Sequence, residues 1–246
     1  IYTGEDTLSL HDALPIFITH GKAAMTPMKI DFVSDIACPW CAVGLGALES
    51  ALKRLEGEVQ VELHFQPFEL NPHMPAGGQD LVEHITQKYG STPEQQAQMR
   101  ENIRARGAKV GFAFAPGGRG RVYNTFNAHR LLHWAHELGN GQQRALKKAL
   151  LEAYQGRAEC IESHEVLLAC VAQAGLAVDI AQNILQSDTY AIEVREQEQF
   201  YLQAGIHSVP AVIINDRHLI SGGQPTEVFE QALRRIAAQS ALTSEA

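Results

Sequence analysis

Apolar and polar positions alternate with two different periods along this chain, and the switches between them mark its elements. Ile30-Asp31-Phe32-Val33 is a short apolar run of strand type. Val43, Leu45, Leu48, Ala51, Leu52 and Leu55 then recur at helical spacing until Gly57 stops the run. Val59, Val61, Leu63 and Phe65 alternate with polar residues, which predicts a strand reaching Phe68. Pro72, Pro75 and Gly77-Gly78 break the chain into a loop.

From about residue 80 to 205 the period is almost wholly helical. Asp80 is placed to cap a helix ending near Gly90, and Ser91-Thr92-Pro93-Glu94 supplies a cap, a proline and an acid to the next. Beyond the glycine-rich loop Gly117–Gly120, helices are predicted over Asn124–Leu138 and Gln142–Tyr154. Others follow from Ser163-His164-Glu165, from Asp179 and from Asp188. Strand period returns at Val209–Ile214. Asn215-Asp216 marks a tight turn, and Arg217–Ile220 comes back as a second strand. Pro225 opens a last helix with Val228, Phe229, Ala232, Leu233 and Ile236 on one face. The order is β-α-β, a long helical block, then β-β-α. Strands from both ends can share one sheet, with the block as a lid.

Composition narrows the class. The 246 residues are 45% hydrophobic and 20% charged, ordinary for a globular chain with a full core. A net charge of −8 with no basic block argues against nucleic acid, and no apolar stretch is long enough to span a bilayer. Four cysteines do not suggest a disulfide-stapled scaffold. Residues 1–27 stand apart. Leu8–Ile16 resembles translated sequencing-adapter sequence, and Met28 opens the first strand. The expectation is a non-native or disordered extension over 1–27, no export signal, and a cytoplasmic protein.

The candidate chemistry lies at Cys38-Pro39-Trp40-Cys41, between the first strand and the first helix. A cysteine at a helix N-terminus faces free N–H groups and the positive end of the macrodipole, which favour thiolate. A second thiol one turn on can close a disulfide. Pro39 wastes no N–H at that position. The motif reads as a dithiol/disulfide redox centre, with half of a zinc site as the alternative. Against zinc, the chain has no second C-x-x-C, and Cys160 and Cys170 have no neighbouring histidine in a ligand pattern. The latter two read as buried or incidental thiols. His133 and His136 share a helix face without further signs of a site, and Glu193, Glu196 and Glu198 read as a solvated helix face.

Cys38–Cys41 after a strand, together with Ser208-Val209-Pro210 before a late strand, resembles the thioredoxin superfamily, and the helical insertion resembles its DsbA-like branch. The strings Asp31–Cys41, Pro67–Pro72, Asn124-Thr125 and Ala128–Leu131 resemble the FrnE-like subgroup. The resemblance implies an α/β thioredoxin-like fold built from 28–70 and 206–240, with a helical insertion domain over 71–205. It implies a thiol-disulfide oxidoreductase in which Cys38 attacks and Cys41 resolves. Pro39 and Trp40 would tune the pair, and Val209 with a cis Pro210 would hold the substrate backbone. Asn71, Asn124 and His129 fall in strings resembling cleft-lining segments, with capping or structural hydrogen bonding as the competing role. No metal or organic cofactor is implied; the substrates would be protein thiols and disulfides or glutathione. The sequence does not fix the oligomeric state. The competing function is a glutathione-dependent isomerase or transferase of the 2-hydroxychromene-2-carboxylate isomerase or kappa-class type. Those proteins carry Ser at the first active position, where this chain has Cys38.

Overall fold

The four-stranded sheet has the order β2-β1-β5-β6 and is assembled from both ends of the chain. The computed structural model describes residues 28–244 apart from 140, with side chains to 240, so the expectation for 1–27 lies outside the described residues. β1 (Met28–Ser34) pairs in parallel with β2 (Val61–Pro67), Phe32 opposite Phe65. On its other edge β1 pairs antiparallel with β5 (Ala211–Ile214), Val33 opposite Ala211, and β5 pairs antiparallel with β6 (His218–Ser221). The parallel step needs a crossover, which α1 (Pro39–Arg54) supplies. β5 and β6 are joined by the three-residue turn 215–217, in which Asn215 and Asp216 have φ values of 51° and 54° and the Arg217 N–H donates to the Ile214 carbonyl at 3.1 Å.

β1 is buried along almost its whole length, as a central strand covered on both faces must be. Ile30 and Phe32 enter one large core with α1, with α9 (Thr226–Ser244) and with the helical block. Val33 enters a smaller cluster with Phe68, Tyr201, Ile206 and Ala211.

Between β2 and β5 the chain is nearly all helical. α2 (Leu81–Tyr89) and α3 (Pro93–Lys109) form one wall of the molecule. A two-residue strand, β3 (Gln79–Asp80), precedes α2 and pairs with β4 (Arg121–Val122). At Gly78, where φ is 65°, a Cβ would come within 2.1 Å of the Val122 carbonyl oxygen, so this approach requires glycine. α4 (Phe126–Glu137), α5 (Gln142–Leu151), α6 (His164–Gln173), α7 (Val178–Leu185) and α8 (Ala191–Gln203) complete the block. α5 ends in a π-helical turn over Glu152–Gly156, a distortion often found at functional sites. Here it aims two side chains. Gln155 Nε2 donates to the Ile36 carbonyl at 2.8 Å, and the Tyr154 hydroxyl donates to the Arg121 carbonyl at 2.8 Å.

Candidate active site

Cys38 is the N-cap residue of α1, with extended backbone at φ −91° and ψ 113°, and Pro39 opens the first turn. Cys41 lies one turn on and is fully buried, whereas Cys38 is buried to 5% exposure and lines a cleft of about 1170 Å³. Both are free thiols. A hydrogen bond from the Cys41 thiol holds the Cys38 thiol below the usual cysteine range. The Cys41 and Trp40 N–H groups add to this, while burial and the charge of Asp35 oppose it. Cys41 moves the other way: burial, and then the neighbouring Cys38 sulfur, push it well up. Of the two thiols, Cys38 is therefore the one that gives up its proton first.

The Val209–Pro210 peptide bond is cis, and the Cys38 Sγ–H points to the Val209 carbonyl oxygen at 3.5 Å. His207, Ser208 and Val209 border the cleft beside Cys38. Trp40 borders it too, half-buried; the Arg106 guanidinium lies 5.7 Å from its ring, and Gly223 packs against the indole.

Beneath the motif lies a polar cluster that sequence reasoning missed. Asp35 is fully buried. Its Oδ1 accepts from the Ala37 N–H at 3.0 Å and the Thr125 hydroxyl at 2.8 Å, and its Oδ2 from the Leu70 N–H at 2.7 Å. Burial pushes its carboxyl up, but His129 and these N–H groups outweigh it, and the group ends below the usual range. Lys147, from α5, is also fully buried, and its Nζ has no hydrogen-bond partner among the described residues. Burial pulls the ammonium down to about 8, against the pull of Cys41, Asp35 and Cys38. Its signal was legible. Gln143, Leu146, Lys147 and Leu150 share one buried helix face, so the lysine sits where the period demands an apolar residue.

The remaining predicted residues separate. Asn71 borders the cleft, where its Oδ1 accepts from Lys88 Nζ at 2.8 Å. Asn124 lies one residue before the N-cap Thr125 of α4, its Oδ1 accepting from the Phe126 N–H at 2.9 Å in a local turn. His129 is buried behind the motif, with Nε2 3.5 Å from Asp35 Oδ1, and does not border the cleft. Cys170 is buried, and burial pushes its thiol up to about 11; Cys160 is half-buried. The three glutamates of α8 are not all solvated. Glu198 is buried and shares Arg195 with buried Glu69, because the α8 face carrying it turns toward the loop after β2. Among the described residues no group of three or more His, Cys, Asp or Glu is arranged to hold a metal ion, and no helix is long and apolar enough to cross a membrane.

The DSBA-like thioredoxin domain family matches residues 29–234. YwbO of Bacillus subtilis, described as uncharacterized, is 27% identical over 208 residues, covering 84% of this chain and 96% of that one. A structure from Streptomyces coelicolor described as a "probable DsbA oxidoreductase" is 33% identical with a TM-score of 0.78, covering 85% of this chain and 89% of its own. The cytosolic disulfide reductase DsbM from Pseudomonas aeruginosa, solved with glutathione, shares the fold. It has a TM-score of 0.55 at 17% identity, covering 84% of this chain and 98% of its own.

Proposed function

The chain belongs to the DSBA-like thioredoxin domain family, and from that premise we propose that it is a thiol-disulfide oxidoreductase working through Cys38 and Cys41. The observation that carries the reading is the placement of Cys38: at the N-cap position of α1, its thiol lowered by Cys41, beside the Val209 carbonyl at the edge of a cleft. The Cys38 thiolate attacks one sulfur of a substrate disulfide. A Cys38–substrate disulfide forms, and the other substrate sulfur leaves as a thiolate. Cys41 then loses its proton and attacks Cys38, closing the Cys38–Cys41 disulfide and releasing the second substrate thiol. Buried Lys147 lowers the cost of the Cys41 anion in that step. The reverse sequence oxidises a dithiol.

An extended substrate can run along Ser208-Val209, in the manner of an added strand. The substrates are proteins or glutathione, with glutathione as co-substrate returning the pair to its resting state; no metal or organic cofactor takes part. The cytoplasm is the proposed compartment. An isomerase or transferase of the glutathione-dependent type has no step that uses Cys41, and the joint placement of both thiols supports exchange. In dithiothreitol-driven reduction of insulin, Cys38→Ala is expected to abolish the protein's acceleration, and Cys41→Ala to accumulate mixed disulfides on non-reducing gels. Undiminished acceleration by Cys38→Ala would refute the reading.

A further inference from the structure

The lining of the cleft beside Cys38 is rich in cations in a chain whose net charge is −8. Lys88 from α2, Arg100 from α3 and Arg119 from the glycine-rich loop all border it. Their partners are neutral. Lys88 Nζ donates to the Leu70 carbonyl at 2.7 Å and to Asn71 Oδ1 at 2.8 Å. Arg119 donates to the carbonyl of Ala37, the residue before Cys38, and lies 5.1 Å from the Tyr154 ring. Arg100 lies along the glycine-rich loop, its Cδ close to Gly118. Among the described residues, no carboxylate forms an ion pair with any of the three. The two carboxylates bordering the cleft are already paired, Glu101 with Arg104 at 3.2 Å and Glu69 with Arg195.

The positive field is felt by a neighbour: burial first, then Lys88 and Arg119, hold the His84 imidazole below its ordinary range. Between these cations the lining is apolar, with Ile103 buried and Met99 and Tyr89 exposed at 50% and 63%. A neutral substrate leaves three cations bordering one cleft with no carboxylate of the described residues ion-paired to them. An anionic one offsets that charge in a partly enclosed site, where screening is weaker than on the open surface.

We infer that Lys88, Arg100 and Arg119 select peptidyl thiols and disulfides that carry a carboxylate close to the reacting cysteine. The inference rests on the exchange reading of Cys38 and adds to it the class of substrate. The same chemistry is offered by a free tripeptide such as glutathione and by an acidic segment of a protein.

The test uses probes that cannot exchange. S-methylglutathione, a hexapeptide with S-methylcysteine flanked by glutamates, and its glutamine counterpart are titrated calorimetrically into the full chain at low salt. The glutamate peptide is expected to bind about tenfold more tightly than the glutamine peptide. That preference should fall to within about twofold in Lys88→Gln/Arg100→Gln and in high salt, and be largely kept in Arg100→Lys. Equal binding of the two peptides by the unaltered protein overturns the inference, as does no binding of either acidic probe. Tighter binding of S-methylglutathione than of the hexapeptide identifies the free tripeptide as the source, and the reverse order the protein segment; both require the cationic lining. Since the methylated sulfur does not react, this result is separable from the insulin assay on Cys38→Ala.

Discussion

Lys147 sets stability against chemistry at a single residue. Its ammonium is buried without a hydrogen-bond partner, and burial lowers it to about 8 from 10.5. Between those values the unfolded chain holds the extra proton, so folding stability rises with pH across that window. Below about pH 8 both states are protonated, and the whole cost of burying the charge remains. Lys147→Met, which keeps the volume, is therefore expected to raise stability at pH 7 by about 1–3 kcal/mol in urea denaturation. The gain should shrink as pH climbs from 8 toward 10. The same variant removes the cation that eases Cys41 toward thiolate, so resolution of the Cys38 mixed disulfide should slow several-fold. A variant less stable than the parent at pH 7, or one with unchanged resolution in stopped-flow measurements, would contradict this account.

At the scale of elements, local chemistry decides most boundaries. Asp80 accepts from the Val82 and Glu83 N–H groups at 2.9 and 3.0 Å. Thr92 and Gln95 form a reciprocal capping box at the start of α3. Both caps were readable, because a capping side chain contacts only residues two or three positions away. The start of α8 was not. Asp188 suggested it, yet the helix begins after Tyr190, whose φ of 64° is a left-handed conformation set by packing rather than by its own preference. The π-helical turn after α5 left no mark in the sequence either. Its reason is distant, a bond from Gln155 to the Ile36 carbonyl.

Asp80→Ala should cost about 1 kcal/mol in urea denaturation and speed hydrogen exchange in the first turn of α2. Gly107→Ala in α3 tests a close approach. The added methyl would lie 2.5 Å from Phe114 Cε2 and 2.8 Å from the Phe112 carbonyl oxygen. Helix propensity favours alanine by about 1 kcal/mol. A backbone carbonyl cannot move aside as a flexible side chain can, and overpacking of this kind costs about 1–3 kcal/mol. The net expectation is destabilisation, and a rise in melting temperature would show that the loop gives way.

Across the whole molecule, the strands at both ends and the helical block between them follow from periodicity that the sequence carries openly, but the order of the strands and the joints between the parts are made by residues far apart in the chain. Arg195 on α8 is the clearest joint. It reaches Glu69, on the loop after β2, bonds Glu198 at 2.7 Å and stacks 3.8 Å from the Phe126 ring of α4. Burial raises both carboxyls and Glu198 raises Glu69 further; His129 and then Arg195 restrain Glu69, and Arg195 restrains Glu198. A carboxyl raised in the folded state binds its proton more tightly there than in the unfolded chain. Its contribution to stability is therefore lost as pH rises from the unfolded value of 4.5 through the folded one. Arg195→Met keeps the packing on Phe126 but leaves the two carboxylates facing each other, so their folded values climb and the window of loss widens toward neutrality. Because Arg195 is about half-exposed, the expected cost is about 1–3 kcal/mol at pH 7, below that of a fully buried pair. Because both carboxyls are raised, protonation relieves the repulsion as pH falls, and the deficit should be smaller at pH 5 than at pH 7. Adding Glu198→Gln should restore much of the stability at pH 7, since one neutral amide removes the repulsion. Urea denaturation of the parent, the single variant and the double variant at the two pH values checks each step. A deficit that stays constant with pH would mean that Arg195 acts through packing, and that charge does not join α8 to the loop beside Cys38.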